Sequence, residues 1–91
     1  DPPPAPDLAV TAGPKSVILD WSDVSKEPDP DTGVLDFEGY RVYRTQGKID
    51  STYKMIWECG GKSGNPVATH YVDKNVQRGF AYYYYVTAYD D

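Results

Sequence analysis

The chain has 91 residues, a formal net charge of −5 from 14 acidic and 9 basic side chains, one cysteine and nine tyrosines. That length is one domain, which at this size buries roughly 60 to 65% of its unfolded surface, and a lone thiol excludes an intrachain disulfide, so a packed core has to hold it. The negative balance works against nucleic acid or an anionic membrane as partner, and no apolar run approaches the roughly 18 residues of a membrane span.

In chain order, residues 1–6 (DPPPAP) read as an extended proline-rich linker ahead of a domain over 7–91. Because the chain opens on Asp1 with no signal-like segment, its start reads as a processed end or the cut end of a fragment. Asp7 to Thr11 alternates and predicts a first strand with Leu8 and Val10 inward, turned by Ala12, Gly13 and Pro14. Ser16 to Ser22 (SVILDWS) predicts a second, with Val17, Leu19 and Trp21 on one face. The polar connection from Asp23 to Asp36 contains Pro28, Pro30 and Gly33, which exclude regular structure. Glu38 to Thr45 resumes alternation, Tyr40 and Val42 inward, Arg41 and Tyr43 outward. After a turn over Gln46 to Ser51, Tyr53 to Cys59 predicts a fourth strand, and Ala68 to Asp73 a short fifth. Gly79 to Asp90 (GFAYYYYVTAYD) is the longest strand signal. Period two puts Phe80, Tyr82, Tyr84, Val86 and Ala88 on one face and Ala81, Tyr83, Tyr85, Thr87 and Tyr89 on the other. Six short strands and no amphipathic helix predict an all-β sandwich.

The Pro-then-LAV opening, SVILDW, FEGYRVYR and YVDKNVQRGFAYYYYVTAYD together resemble a fibronectin type III domain over almost the whole length. In that family a hydrophobic residue, then Gly-x-x-Tyr-x-Tyr-x-Val-x-Ala, marks the approach to strand F, and Val76, Gly79, Tyr82, Tyr84, Val86 and Ala88 match it. The resemblance implies an immunoglobulin-like β-sandwich of fibronectin type III topology. It also implies a tyrosine corner at Tyr82, whose hydroxyl would return to backbone near Val76. An immunoglobulin domain usually carries a cysteine pair between strands B and F, and Tyr84 stands at the strand F position here. The strands match A, B, C, C′, E and F, so the domain lacks its last strand, G. The edge of strand F should then be covered by the remainder of the polypeptide or by a neighbouring subunit. The GYRVYR wording resembles versions from secreted bacterial proteins, which implies an extracellular or cell-surface setting.

Trp21 and Tyr82 are expected to be buried, with Leu8, Val10, Val17, Leu19, Tyr40, Val42, Tyr84, Val86 and Ala88 around them; Trp57 could face either way. No catalytic residue is expected. His70, the sole histidine, reads as an exposed strand residue with no nucleophile or orienting carboxylate placed around it, and no cationic cluster flanks Cys59 to activate its thiol. Asp29, Asp31, Asp36 and Glu38 bunch in the way calcium ligands can. Counted as an EF-hand from Asp29, however, the invariant glycine falls on Val34 and the closing glutamate on Tyr40. The expectation is a solvated acidic loop, no cofactor, and a melting temperature indifferent to calcium. With strands C and F neighbours, Arg41, Tyr43, Tyr83, Tyr85 and Tyr89 would share an outward face. Such a face can dock carbohydrate or protein, or simply stabilise the sheet through cross-strand ring pairs. The reading is a non-enzymatic structural and interaction module of a larger protein or filament-like assembly, the alternative being a ligand-binding module that uses the tyrosine face.

Overall fold

The computed structural model describes residues 5–26, 37–47 and 52–90. Six strands follow in order: β1 (Leu8–Ala12), β2 (Val17–Trp21), β3 (Phe37–Gln46), β4 (Lys54–Gly60), β5 (His70–Asp73) and β6 (Tyr82–Asp90), with no helix among the described residues. Each is a stretch in which apolar and polar side chains alternate, the pattern that lets one strand face satisfy a core and the other water. They pair antiparallel into two three-stranded sheets, β1-β2-β5 and β4-β3-β6.

The inward faces of the two sheets meet in one core of Leu19, Trp21, Val24, Tyr40, Val42, Cys59, Val86 and Ala88. Register explains the selection: Tyr40 lies opposite Ala88 and Val42 opposite Val86, so β3 and β6 contribute the same layers. The ring of Trp21 packs edge-on to Tyr40 at 5.7 Å, and Phe37 packs on the same tyrosine at 4.9 Å. Trp57 turns inward and stacks on Tyr71 across the sandwich at 4.8 Å. Tyr40 also anchors the chain leaving β2, since its hydroxyl accepts from the Val24 N–H at 2.9 Å and donates to Asp23 Oδ1 at 3.3 Å. The Trp21 indole N–H is buried with no acceptor among the described residues.

Several placements differ from the sequence expectation. Val10 shares the inward face with its register partner Leu19, yet it is 51% exposed. β1 is the outermost strand of its sheet and meets the opposite sheet at β6, itself an outermost strand, so little lies over Val10. The last strand begins at Tyr82 rather than Gly79: Gly79 has φ +87°, a turn conformation, and Phe80 ahead of the strand is 53% exposed instead of joining the inward row. Tyr82, expected in the core, is only half-buried because it stands at the end of the sandwich; Tyr84, Leu8 and Val17 are half-buried as well. Pro6, read as linker, is buried, and the adjacent Asp7 N–H donates to Ser22 Oγ at 2.8 Å, so packing begins before β1.

Candidate functional site

β6 is the longest of the outermost strands, and it is flanked on one side only. Its nine residues form a ladder with β3, and no strand lies along its other edge among the described residues. In an antiparallel strand every second residue directs both N–H and C=O to the same side, so this edge presents a row of backbone donors and acceptors. The other three outer strands are guarded. β1 has five residues bracketed by Pro6 and Pro14, β5 has four, and β4 begins at Lys54 and is broken by a register shift opposite Val42 and Tyr43. β6 has no proline, glycine, lysine or bulge of its own in the run from Tyr82 to Tyr89, and Asp90 is its one charge. Across the sandwich β6 meets β1, whose inward-facing Val10 is half exposed.

The outward side of β3 and β6 carries the expected aromatic group. Tyr43 lies opposite Tyr85, and the two rings stack at 4.6 Å and 12°. Tyr53 packs edge-on to Tyr85 at 4.9 Å, which leaves Tyr85 the more open ring at 41% exposure. The Arg41 guanidinium sits 4.0 Å over the Tyr89 ring and donates to Glu58 Oε2 at 2.8 Å. The Glu58 hydrogen bond, outweighing burial, raises the Arg41 pKa above its usual range. The Tyr89 hydroxyl donates to the Cys59 carbonyl at 3.1 Å, and burial followed by the nearby Glu58 charge raises its pKa. Tyr83 stands opposite Thr45, which is buried. Arg41, Tyr43, Tyr85 and Tyr89 therefore share the face, while their rings already occupy one another.

A buried polar cluster joins the two sheets at the far end, and it was missed from the sequence. Asp73, 1% exposed at the end of β5, accepts from Arg44 Nη1 of β3 and from the Tyr84 hydroxyl of β6, both at 2.8 Å on Oδ2. Its Oδ1 accepts the Asn75 N–H at 3.0 Å, and Arg44 also donates to the Asn75 carbonyl at 3.1 Å. Burial first, then the Asp73 hydrogen bond, drives the Tyr84 pKa far above the ordinary phenol range. The available signal was parity: Arg44 falls on the same inward row as Tyr40 and Val42, and an inward arginine needs a buried carboxylate. Next to this cluster the Gln77 N–H donates to the Tyr82 hydroxyl at 2.8 Å, one residue past the Val76 that the family resemblance implies.

His70 is exposed as expected, but a carboxylate does stand beside it: its Nδ1 lies 2.7 Å from Asp20 Oδ1 across the β2–β5 pair. No Ser, Thr or Cys side chain hydrogen-bonds His70 among the described residues. Cys59 is wholly buried, with its Sγ 3.7 Å from the Ala68 carbonyl. Of the acidic group, Glu38 lies half-buried on β3, whereas Asp29, Asp31 and Asp36 lie outside the described residues. Among the described residues no three acidic, histidine or cysteine side chains gather as a metal site would require. No known protein family, curated protein or solved structure matches the chain.

Proposed function

We propose that this chain is a non-catalytic, fibronectin type III-like structural and interaction module of a larger extracellular or cell-surface protein or assembly, joined to the rest through the outer edge of β6. The observation that carries the reading is that edge, nine residues long and unguarded, met across the sandwich by β1, whose inward-facing Val10 is half exposed. A strand laid along β6 satisfies its outward N–H and C=O groups and puts alternate side chains over Val10, so backbone bonds supply affinity and one apolar contact supplies register. The occupant is an extended segment of the same polypeptide or of a neighbouring subunit. The resemblance carried by the Val76 to Ala88 pattern is what supports the family, and the GYRVYR wording is what supports the extracellular setting.

Amide hydrogen exchange tests the proposal. In the isolated 91-residue chain, the alternate β6 amides that do not bond β3 should exchange fast, and in the longer polypeptide or assembly they should become protected. Amides that stay fast in both settings would overturn it, as would a Val10→Asp variant that assembles as well as the parent.

The tyrosine face is the second reading, favoured by the exposed ring of Tyr85 beside Tyr43. Tyrosine offers large, stiff contact area to sugar or protein. Changing Tyr43, Tyr83 and Tyr85 to Ser should abolish any binding found on a glycan array or in a polymer pulldown, and equal binding by that variant refutes this use of the face.

A further inference from the structure

Charge is separated along the sandwich. The antiparallel registers bring the Ala12–Val17 turn, the start of β4 and the β5–β6 connection to one end, where Arg44 meets Asp73. Among the described residues that end carries Lys15, Arg44, Lys54, Lys74 and Arg78 against one carboxylate, Asp73, which Arg44 neutralises. The opposite end, where Leu8 meets Trp21 and Phe37 meets Asp90, carries Asp7, Asp20, Asp23, Glu38, Glu58 and Asp90. Among the described residues Lys26, Lys62 and Arg41 oppose them there, Arg41 being taken by Glu58, while His70 stands against Asp20. A chain whose net charge is −5 thus keeps one basic end.

The basic end is also concave. A cleft of about 720 Å³ opens between the Gly13–Ser16 turn and the Lys74–Gly79 connection, lined by Lys15, Lys74 and Arg78 with Val17, Val76 and Tyr82 below. No carboxylate lines it, and none pairs with Lys15, Lys74 or Arg78 among the described residues.

We propose that copies of this chain associate end to end, the basic cleft of one sandwich receiving the acidic end of the next. The occupant follows from charge complementarity, because the chain itself carries the acidic surface that the cleft fits. The net repulsion between copies does not prevent it. The molecule is 44 Å long, several times the Debye length of about 10 Å at 0.1 M salt, so distant ends are screened while the touching ends attract. The contact joins two different surfaces, so repetition extends an open row rather than closing a pair. This proposal is independent of the β6 edge: it uses the ends of the strands and no backbone pairing.

Sedimentation velocity and small-angle scattering over a concentration series test it. At about 0.1 M salt the mean size should rise with concentration and the maximum dimension should lengthen by roughly one 44 Å axis per added copy. At about 1 M salt the association constant should fall about tenfold or more. Lys15→Glu/Lys74→Glu/Arg78→Glu should be monomeric at 0.1 M, as should Asp7→Lys/Glu38→Lys/Asp90→Lys, each melting like the parent. Mixing the two variants should restore association. A parent that is monomeric throughout refutes the proposal. So does association that survives both high salt and the reversals, which would belong to β6 or the tyrosine face, or a dimer no longer than the monomer, which means side-by-side packing. Binding of polyglutamate to the cleft without self-association would reassign it to an acidic foreign partner.

Discussion

Asp73 is the residue on which the two sheets depend at the basic end, because one carboxylate satisfies Arg44 of β3, Tyr84 of β6 and the backbone of Asn75 together. Replacing it with Ala leaves a guanidinium and a phenol without their acceptor in a largely dry site. Breaking a fully buried pair costs about 3 to 5 kcal/mol, and because Arg44 keeps 23% of its side chain in water, we expect about 2 to 3 kcal/mol, read as a lowered denaturation midpoint. Tyr84→Phe should cost about 1 kcal/mol at neutral pH, the usual net worth of one hydrogen bond. The same phenol predicts a pH dependence. Its folded pKa lies above the unfolded value of about 10, so the folded state holds a proton that the unfolded state releases. That contribution is whole below about pH 10 and is lost as pH rises toward the folded value. The parent's melting temperature should therefore fall above about pH 10, and Tyr84→Phe should fall less; equal slopes would contradict the assignment. Burial raises Tyr40 and Tyr71 in the same direction, so a residual slope is expected in the variant.

At the scale of the element, β3 is the central strand of its sheet, and its close approach to β4 depends on Gly39. A Cβ built there would run into the Cys59 carbonyl and come within 2.9 Å of the Tyr89 hydroxyl, the pair that bridges β4 and β6. Neither β4 backbone nor a packed ring yields cheaply, so Gly39→Ala should cost about 1 to 3 kcal/mol by forcing strands apart. The readout is early loss of amide protection at the Gly60 end of β4, and unaltered protection there would show that the strands part freely. The strands themselves were readable from alternation, because period two is a local property of the chain. Facing within them was readable too wherever both neighbours exist, as for Tyr40, Val42, Val86 and Ala88. It failed for Val10, because inward direction yields burial only where another element lies across, and for Phe80, because the strand starts only at Tyr82.

The described residues form two thin sheets around one core, with no second cluster among them to hold the fold if the first is damaged. Trp21 is the largest side chain in that core and contacts rings from the opposite sheet, Tyr40 and Trp57. Trp21→Ala should cost about 3 to 5 kcal/mol, a large part of the roughly 5 to 15 kcal/mol a domain has, and should unfold much of the population at 37 °C or lower its midpoint steeply. A variant that melts cooperatively near the parent would mean that the sandwich does not close on this ring.

The amino-acid sequence alone determined the class of structure: short alternating strands, punctuating prolines and glycines, and an aromatic run that makes a strand. These are local preferences, and they survive folding because nothing distant has to cooperate for a residue to point up or down. The outward tyrosines also followed from alternation, once the neighbouring strands were supplied. What the tertiary structure decided is every property that needs two distant segments in one place. Asp73 meets Arg44 and Tyr84, Asp20 meets His70, and Val10 stays exposed on its inward face. The separation of charge belongs here as well, since acidic and basic residues are mixed along the chain and antiparallel pairing sorts them to opposite ends. Pairing register is a collective choice among all the strands, and no window of sequence contains it.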